Sequence, residues 1–215
     1  MGVSLKKGQV VSLKKSEYDL SRVTIGLGWD INTKKSGLFG LFSKSSDEDY
    51  DLDVIAFLCH SDGKIHDMGE MNNGNPTLRN GDIVFFNSLQ HPSGSIWLTG
   101  DNRTGAGDGD DEQIIAKLNE IPAEYEKIVF VVQIYDGKRL NQSFEQVSNA
   151  FIRAEDACGK EMCRFDLSGG QAYANQRSLL FAELTRSAEG WQFKAIGTPA
   201  ENDSFVYWLQ QYINY

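Results

Sequence analysis

Five carboxylates crowd the stretch TGDNRTGAGDGDDEQ, which runs from Thr99 to Gln113. They are Asp101, Asp108, Asp110, Asp111 and Glu112, and a single base, Arg103, lies among them. Two carboxylates about 5 Å apart near a surface repel each other by roughly 1–3 kcal/mol. A hard divalent cation would reverse that repulsion, because Ca²⁺ takes about six to eight oxygen ligands from carboxylates, amides and backbone carbonyls. Four interleaved glycines let the backbone turn such oxygens inward.

The stretch does not match the EF-hand calcium loop. Asp101 and Glu112 stand at the first and last positions of such a loop. Its third position, however, holds Arg103, and Ala106 replaces the required glycine. We therefore expect another loop geometry, with some ligands supplied from elsewhere in the chain.

A second acidic cluster is the natural source of those ligands. Asp51 and Asp53 open a predicted strand with their side chains on the same face, and Asp30 follows just past the end of another strand. A solvated acidic loop is the structural alternative, since runs of acids usually face water. The interleaving of Asp with Gly and the shared strand face favour metal binding.

The elements that must position these acids are mostly strands. Alternating or fully apolar runs predict strands at 22–29, 51–60, 82–86, 95–100, 112–118 and 127–136, and hairpins around 158–160 and 188–190. Helix signals are few: a capping-box pattern at 143–146 and an apolar stripe at 203–213. The stripe is typical of a closing helix packed on a sheet, with a partner-binding helix as the alternative. We predict a mainly β fold, a two-sheet β-sandwich with a few short helices and a C-terminal helix, in a single domain over 1–215.

Composition narrows the possible partners. The net charge of −9 argues against nucleic acid or an anionic membrane surface as the main partner, because both need a basic surface. The N-terminus has no signal-peptide pattern, and the longest apolar run, at 128–135, is too short to cross a bilayer. Three cysteines, an odd number, fit a reducing compartment. We expect a cytoplasmic chain without direct membrane insertion.

Six motifs in this order resemble the TerD family of tellurite-resistance and stress proteins. They are VTIGLGWD, DLDVIAFL, GDNRTGAGDGDDE, IVFVVQIYD, FEQVSNAFIR and LLFAELTR. The resemblance runs from Val3 to about Ile196 and implies a calcium-binding β-sandwich of the bacterial cytosol, linked to tellurite, phage and colicin resistance. It also implies other TerD-like proteins as partners, together with a membrane-embedded partner at the inner face of the membrane. Against that family pattern, the loops near 33–50 and 69–81 and the C-terminal helix look like additions.

The resemblance also carries over a set of metal ligands, to which Asn102 adds an amide oxygen. The set is Asp30, Asp51, Asp53, Asp101, Asn102, Asp108, Asp110, Asp111 and Glu112. We expect these residues to bind one or two Ca²⁺ in a non-catalytic interaction module.

Two other functions stay open at this point. The same acidic site could serve a metal-dependent enzyme, in phosphoryl transfer or in hydrolysis by a carboxylate pair. No lysine-bearing phosphate loop accompanies the acids, and the three histidines are scattered along the chain. Direct chemistry on tellurite would need thiols or a redox cofactor, and three unclustered cysteines give that reading little support.

Overall fold

The computed structural model describes residues 2–31, 50–99, 110–167 and 173–214. Within these ranges the chain forms fourteen strands and one short helix. The strands are β1 (Val3–Leu5), β2 (Val10–Lys14), β3 (Val23–Ile31), β4 (Leu52–His60), β5 (Met71–Asn72), β6 (Asn75–Pro76), β7 (Ile83–Val84), β8 (Ile96–Leu98), β9 (Glu112–Ala116), β10 (Tyr125–Ile134), β11 (Val147–Glu155), β12 (Glu161–Leu167), β13 (Ser178–Ser187) and β14 (Gly190–Ala200), and the helix is α1 (Val206–Leu209).

Two large sheets contain all but two of these strands. Sheet one has the order β1-β12-β11-β3-β9-β8, and sheet two has the order β2-β14-β13-β10-β4-β7. β5 and β6 form a separate hairpin inside the loop predicted near 69–81. β1 pairs with β12 in parallel, whereas the other pairings within the two sheets are antiparallel. The predicted mainly β, two-sheet sandwich is confirmed.

The main core lies between the two sheets. Alternate residues of each strand point into it, such as Ile25 and Leu27 from sheet one and Val54 and Ala56 from sheet two. The fully apolar sequence of β10 has a structural cause, because both faces of this strand are buried. One face lies in the main core, and the other meets the C-terminal segment.

That C-terminal segment covers the outer face of sheet two. Phe205, Trp208 and Leu209 pack on Ile55 and Val129 in a second apolar cluster. The closing role predicted for the C-terminal helix is thus confirmed. Its predicted extent was too long: α1 has four residues, and turns follow it.

A second helix prediction was wrong. The capping-box pattern at 143–146 forms a turn, in which the Ser143 hydroxyl donates to Gln146 Oε1 at 2.8 Å. Phe144 is buried in the main core, and β11 begins directly afterwards at Val147. Core packing of Phe144 and the early start of the strand override the local helix signal. Among the described residues, no helix is long and apolar enough to span a bilayer.

Candidate metal centre

The predicted ligands that the structure describes gather at one end of the sandwich, which we call the acidic end. Asp30 lies near the end of β3, residues 110–112 lead into β9, and Asp53 lies at the start of β4. β3 and β9 are neighbours in sheet one, with Leu27 opposite Glu112. β4 faces them from sheet two, so the sandwich brings together acids that are far apart in the sequence.

Asp110 makes a partly buried ion pair with Arg153. The guanidinium donates from Nε to Oδ1 at 2.7 Å and from Nη2 to Oδ2 at 3.1 Å, a two-pronged geometry that fixes both partners. The hydrogen bond to Asp110 is the largest of the effects that raise the pKa of Arg153. The Asp110 carboxylate lies directly over Gly26, where a side chain would collide with it. This explains the first glycine of the GLG motif as a residue that makes room for a carboxylate.

Asp111 is the buried acid at the centre of the cluster. Its side chain is folded against β3: Oδ2 accepts from the backbone N–H of Trp29 at 3.0 Å, and its own N–H donates to the Leu27 carbonyl at 2.8 Å. Burial raises the pKa of Asp111. The Trp29 N–H opposes that rise, and the negative charges of Asp30 and Asp110 add to it. Three carboxylates therefore interact electrostatically at this point.

Glu112 and Asp53 join the two sheets and the C-terminal segment. Glu112 is buried, and its Oε2 accepts from the backbone N–H of Val54 at 2.6 Å, across the interface between the sheets. Asp53 Oδ2 accepts from Gln133 Nε2 at 2.9 Å, and the same Gln133 accepts from the Phe205 N–H at 2.7 Å. Both carboxylates thus take part in hydrogen bonds that hold the acidic end together.

Asp30 is the exposed member of the cluster. Its carboxylate accepts from Asn149 Nδ2 at 2.6 Å, and its backbone carbonyl accepts from the Ser148 hydroxyl at 3.3 Å. Asn149 adopts a left-handed conformation with φ of 51°, where the pairing of β11 with β3 shifts register. Asparagine tolerates this conformation better than most residues. The irregularity aims an amide at Asp30.

The nine predicted ligands therefore fall into two groups. Asp30, Asp51, Asp53, Asp110, Asp111 and Glu112 are described, whereas Asp101, Asn102 and Asp108 lie outside the described residues, as does the loop at 33–49. In the described part of the chain, no three His, Cys, Asp or Glu side chains are close enough to hold a metal ion. A complete calcium site at this end would therefore need oxygen atoms from the acidic loop itself.

The histidines, which look scattered in the sequence, gather around one buried carboxylate. His60 and His91 each place Nε2 3.7 Å from Asp82, and the backbone N–H of His66 donates to Asp82 Oδ2 at 3.0 Å. The rings of His60 and His66 stack with their centroids 3.8 Å apart. Tyr125 completes the cluster, because its hydroxyl donates to Asp82 Oδ1 at 2.7 Å.

This histidine end is remote from the acidic end. β4 carries Asp53 at its start and His60 at its end, and a strand of that length spans about 25 Å. Burial pushes the pKa of Asp82 upward. The nearby His91 ring, together with hydrogen bonds from the Asp67 N–H, Tyr125 and the His66 N–H, outweighs burial and brings the pKa to about 2. Strand pairing and loop placement bring these residues together, and the sequence pattern encodes neither.

The three cysteines lie on different elements: Cys59 in β4, Cys163 in β12 and Cys158 in a turn. Cys59 and Cys163 are buried, and burial raises the pKa of each thiol to about 12. Cys158 is exposed in the turn between β11 and β12. All three are free thiols.

The fold and its acidic end define the class of protein: a two-sheet β-sandwich with several carboxylate side chains at one end of its sheets. Residues 1–212 match the TerD domain family model. The tellurium resistance protein TerX of Serratia marcescens is 67% identical over 99% of this chain and 100% of its own length. The tellurium resistance protein TerD of the same organism is 41% identical over 92% of this chain and 90% of its own. This chain therefore belongs to the TerD family.

Other relatives extend the comparison. General stress protein 16U of Bacillus subtilis is 38% identical over 92% of this chain and 91% of its own length. A crystal structure of a homologue of telluride resistance protein (TerD) from Streptomyces coelicolor A3(2) superposes with a TM-score of 0.58, at 22% identity, over 87% of this chain and 94% of that one. At that identity the structural match supports the fold.

Proposed function

We propose that this chain is a calcium-binding, non-catalytic module of the tellurite and stress response. One observation carries the proposal: neighbouring strands bring Asp30 on β3, Asp53 on β4 and Asp111 beside β9 to the same end of the sandwich. The described acids alone do not form a metal-binding group. The proposal therefore adds the oxygen donors of the acidic loop, and donors of this kind suit Ca²⁺, which needs no imidazole or thiolate. The names of the TerX, TerD and stress-protein relatives support the response to tellurite and stress.

The described contacts suggest a division of labour among the acids. Asp110 and Glu112 are hydrogen-bonded to Arg153 and to the Val54 backbone, so we give them the role of positioning the cluster. Asp53 positions the C-terminal segment through Gln133. We assign the ion to Asp30, Asp51 and Asp111, together with Asp101, Asn102 and Asp108 from the acidic loop. Asp30 and Asp111 each also accept a hydrogen bond, from Asn149 and from the Trp29 N–H, which would orient their carboxylates.

Calorimetry tests the calcium proposal. Titration of Ca²⁺ into chelator-treated protein is expected to give saturable binding. Asp111→Asn is expected to weaken that binding at least about tenfold, since it removes a charged ligand. Asp62→Asn is the matched control, because Asp62 is exposed and pairs with His66 at the other end of the sandwich. No binding by the wild-type protein at millimolar calcium, or equal binding by Asp111→Asn, would contradict the proposal.

The binding role, as opposed to catalysis, is supported by the placement of the histidines. His60, His66 and His91 surround Asp82, about 25 Å from the acidic end, so they are not at hand there as general bases. Assays with a chromogenic phosphate ester and a chromogenic glycoside, each with added Ca²⁺ or Mg²⁺, check this point. Turnover that Asp111→Asn abolishes would establish the metal-dependent enzyme instead.

The proposed partners are other TerD-like proteins and a membrane-embedded protein of the same system, met from the cytoplasmic side. Sedimentation of this chain with the Serratia marcescens TerD protein, in calcium and in chelator, tests the first of these. A complex that forms in calcium is expected. Two independent species under both conditions would contradict this part of the proposal.

A further inference from the structure

The beginning of the chain contains a repeated pentapeptide. VSLKK occurs at 3–7 and again at 11–15. In both copies the leucine enters the main core, as Leu5 in β1 and as Leu13 in β2. The two copies therefore form edge strands of different sheets, and each ends in a pair of lysines.

Among the described residues, β14 is the only strand that pairs with β2, which leaves the outer edge of β2 open. Lys15 donates its N–H to the Glu189 carbonyl at 3.1 Å, and Ala195 donates to the Gln9 carbonyl at 3.0 Å, so odd-numbered residues of β2 bond to β14. Because antiparallel pairing alternates, Val10 and Ser12 turn their backbone N–H and C=O groups away from β14. These groups have no hydrogen-bond partner within the described residues.

The opposite side of the sandwich is closed. β8 is the last strand of sheet one there, and a preceding loop covers its outer edge. Leu98 donates to the Leu89 carbonyl at 2.7 Å, and His91 donates to the Ile96 carbonyl at 3.0 Å. The open edge at β2 is therefore not a general property of this sandwich.

The open edge is also basic in an acidic protein. Residues 1–15 contain four lysines and no Asp or Glu, whereas the whole chain has a net charge of −9. Lys14 pairs with Glu17 and Glu189. Lys6, Lys7 and Lys15 have no ion-pair partner among the described residues, although Lys7 donates to a backbone carbonyl.

We propose that the outer edge of β2 binds an extended acidic segment of a partner protein by strand addition. Val10 and Ser12 would supply the backbone hydrogen bonds, and Val10, half exposed, would contact an apolar side chain of the added strand. The flanking lysines would select for carboxylates. If two copies of the chain paired through their β2 edges, lysines would face lysines, so the same charges disfavour self-association. In the alternative, purely protective role, these lysines only prevent aggregation through the exposed strand edge.

A labelled peptide of alternating Glu and Val, about eight residues long, is the probe. Fluorescence anisotropy is expected to show saturable binding that weakens with salt, while a Lys–Val peptide of equal length does not bind. On binding, hydrogen exchange at the amides of Val10 and Ser12 is expected to slow. The measurement is made in chelator, so it does not depend on calcium or on the proposed function.

Ser12→Pro is the decisive variant. It removes an outward N–H without removing a hydrogen bond to β14. We expect it to weaken binding of the Glu–Val peptide about tenfold, whereas Ser12→Ala should weaken binding about twofold or less. Thermal unfolding checks that each variant folds. If Ser12→Pro does not fold, loss of binding in the double variant Lys6→Gln, Lys15→Gln replaces it. Equal binding of the two peptides, no binding to folded wild-type protein, or full binding by folded Ser12→Pro would overturn the proposal.

Discussion

Two buried aspartates, at opposite ends of the same sandwich, have opposite electrostatic environments. Asp82 is 2% exposed and accepts hydrogen bonds from Tyr125 and from the backbone N–H groups of His66 and Asp67. Its pKa is lowered to about 2. Asp111 is 8% exposed, and burial together with the charges of two neighbouring acids raises its pKa.

The difference separates two ways of burying a carboxylate. Protein donors stabilise the charge at Asp82. At Asp111 the neighbouring carboxylates oppose the charge, and a divalent ion would turn that repulsion into attraction. The proposed calcium site uses this difference: it gives Asp82 a structural role and Asp111 a binding role.

The largest expected effect is at the histidine end. Asp82→Ala removes the acceptor of three hydrogen bonds and leaves buried donors without partners, so we expect a loss of about 3–5 kcal/mol in the free energy of unfolding. Urea denaturation measures it. Asp62→Ala, which breaks an exposed pair with His66, is expected to cost far less, because solvent screens that pair. Similar costs for the two variants would remove the structural role given to Asp82.

The second prediction concerns calcium at the acidic end. At a free calcium concentration of about 100 times Kd, the free energy of unfolding should rise by about 2.7 kcal/mol. Asp62→Ala is expected to keep this gain, and Asp111→Asn to lose most of it. In chelator, Asp111→Asn should be at least as stable as the wild-type protein, because it removes a charge that Asp30 and Asp110 oppose. If calcium stabilised Asp111→Asn as much as the wild-type protein, the contrast between a structural Asp82 and a calcium-binding Asp111 would fail.

The third prediction follows from the directions of the two pKa shifts. Asp82 has a lowered pKa, so its stabilisation of about 2 kcal/mol is present above pH 3.8 and is lost as the pH falls toward 2. The raised pKa of Asp111 acts in the opposite sense: in metal-free protein its protonation in acid favours the folded state. Stability curves from pH 7 to pH 2 for Asp82→Asn and Asp111→Asn, compared with the wild-type protein, measure both. If the stability of both variants followed the same pH dependence as that of the wild-type protein, the opposite pKa shifts of Asp82 and Asp111 would be contradicted.

The smallest effect is expected at Gly26. Gly26→Ala places a methyl group against the Asp110 carboxylate, so it should cost about 1–2 kcal/mol and weaken the ion pair with Arg153. In an Asp110→Ala background the same substitution should cost little, since the clash is gone. Equal costs in the two backgrounds, measured by urea denaturation, would show that Asp110 is not the reason for this glycine.

Local patterns predicted most of the strands. Residues close together in the sequence were enough to predict the alternation in β3, the apolar run of β10 and the hairpins β11–β12 and β13–β14. The short N-terminal strands β1 and β2 had no such signal, because five or fewer residues at a sheet edge show little periodicity.

The contacts within the site could not be predicted in the same way. Arg153 meets Asp110 across 43 positions of sequence, and Glu112 meets the Val54 backbone across 58. Such contacts depend on strand register and on the packing of one sheet against the other, neither of which a single sequence encodes locally. Clustering of acids in the sequence predicted a shared acidic site, but it did not predict which of these acids make hydrogen bonds within the fold.

The most direct test is an NMR titration of the side-chain carboxyl groups of Asp82 and Asp111, with and without calcium. In chelator, Asp111 should titrate above 3.8 and Asp82 near 2. Calcium should lower the apparent pKa of Asp111, because a metal ligand must be deprotonated, and should leave that of Asp82 unchanged. If calcium shifts neither group, or shifts both alike, the acidic end is not the calcium site and the contrast between the two aspartates has no functional meaning.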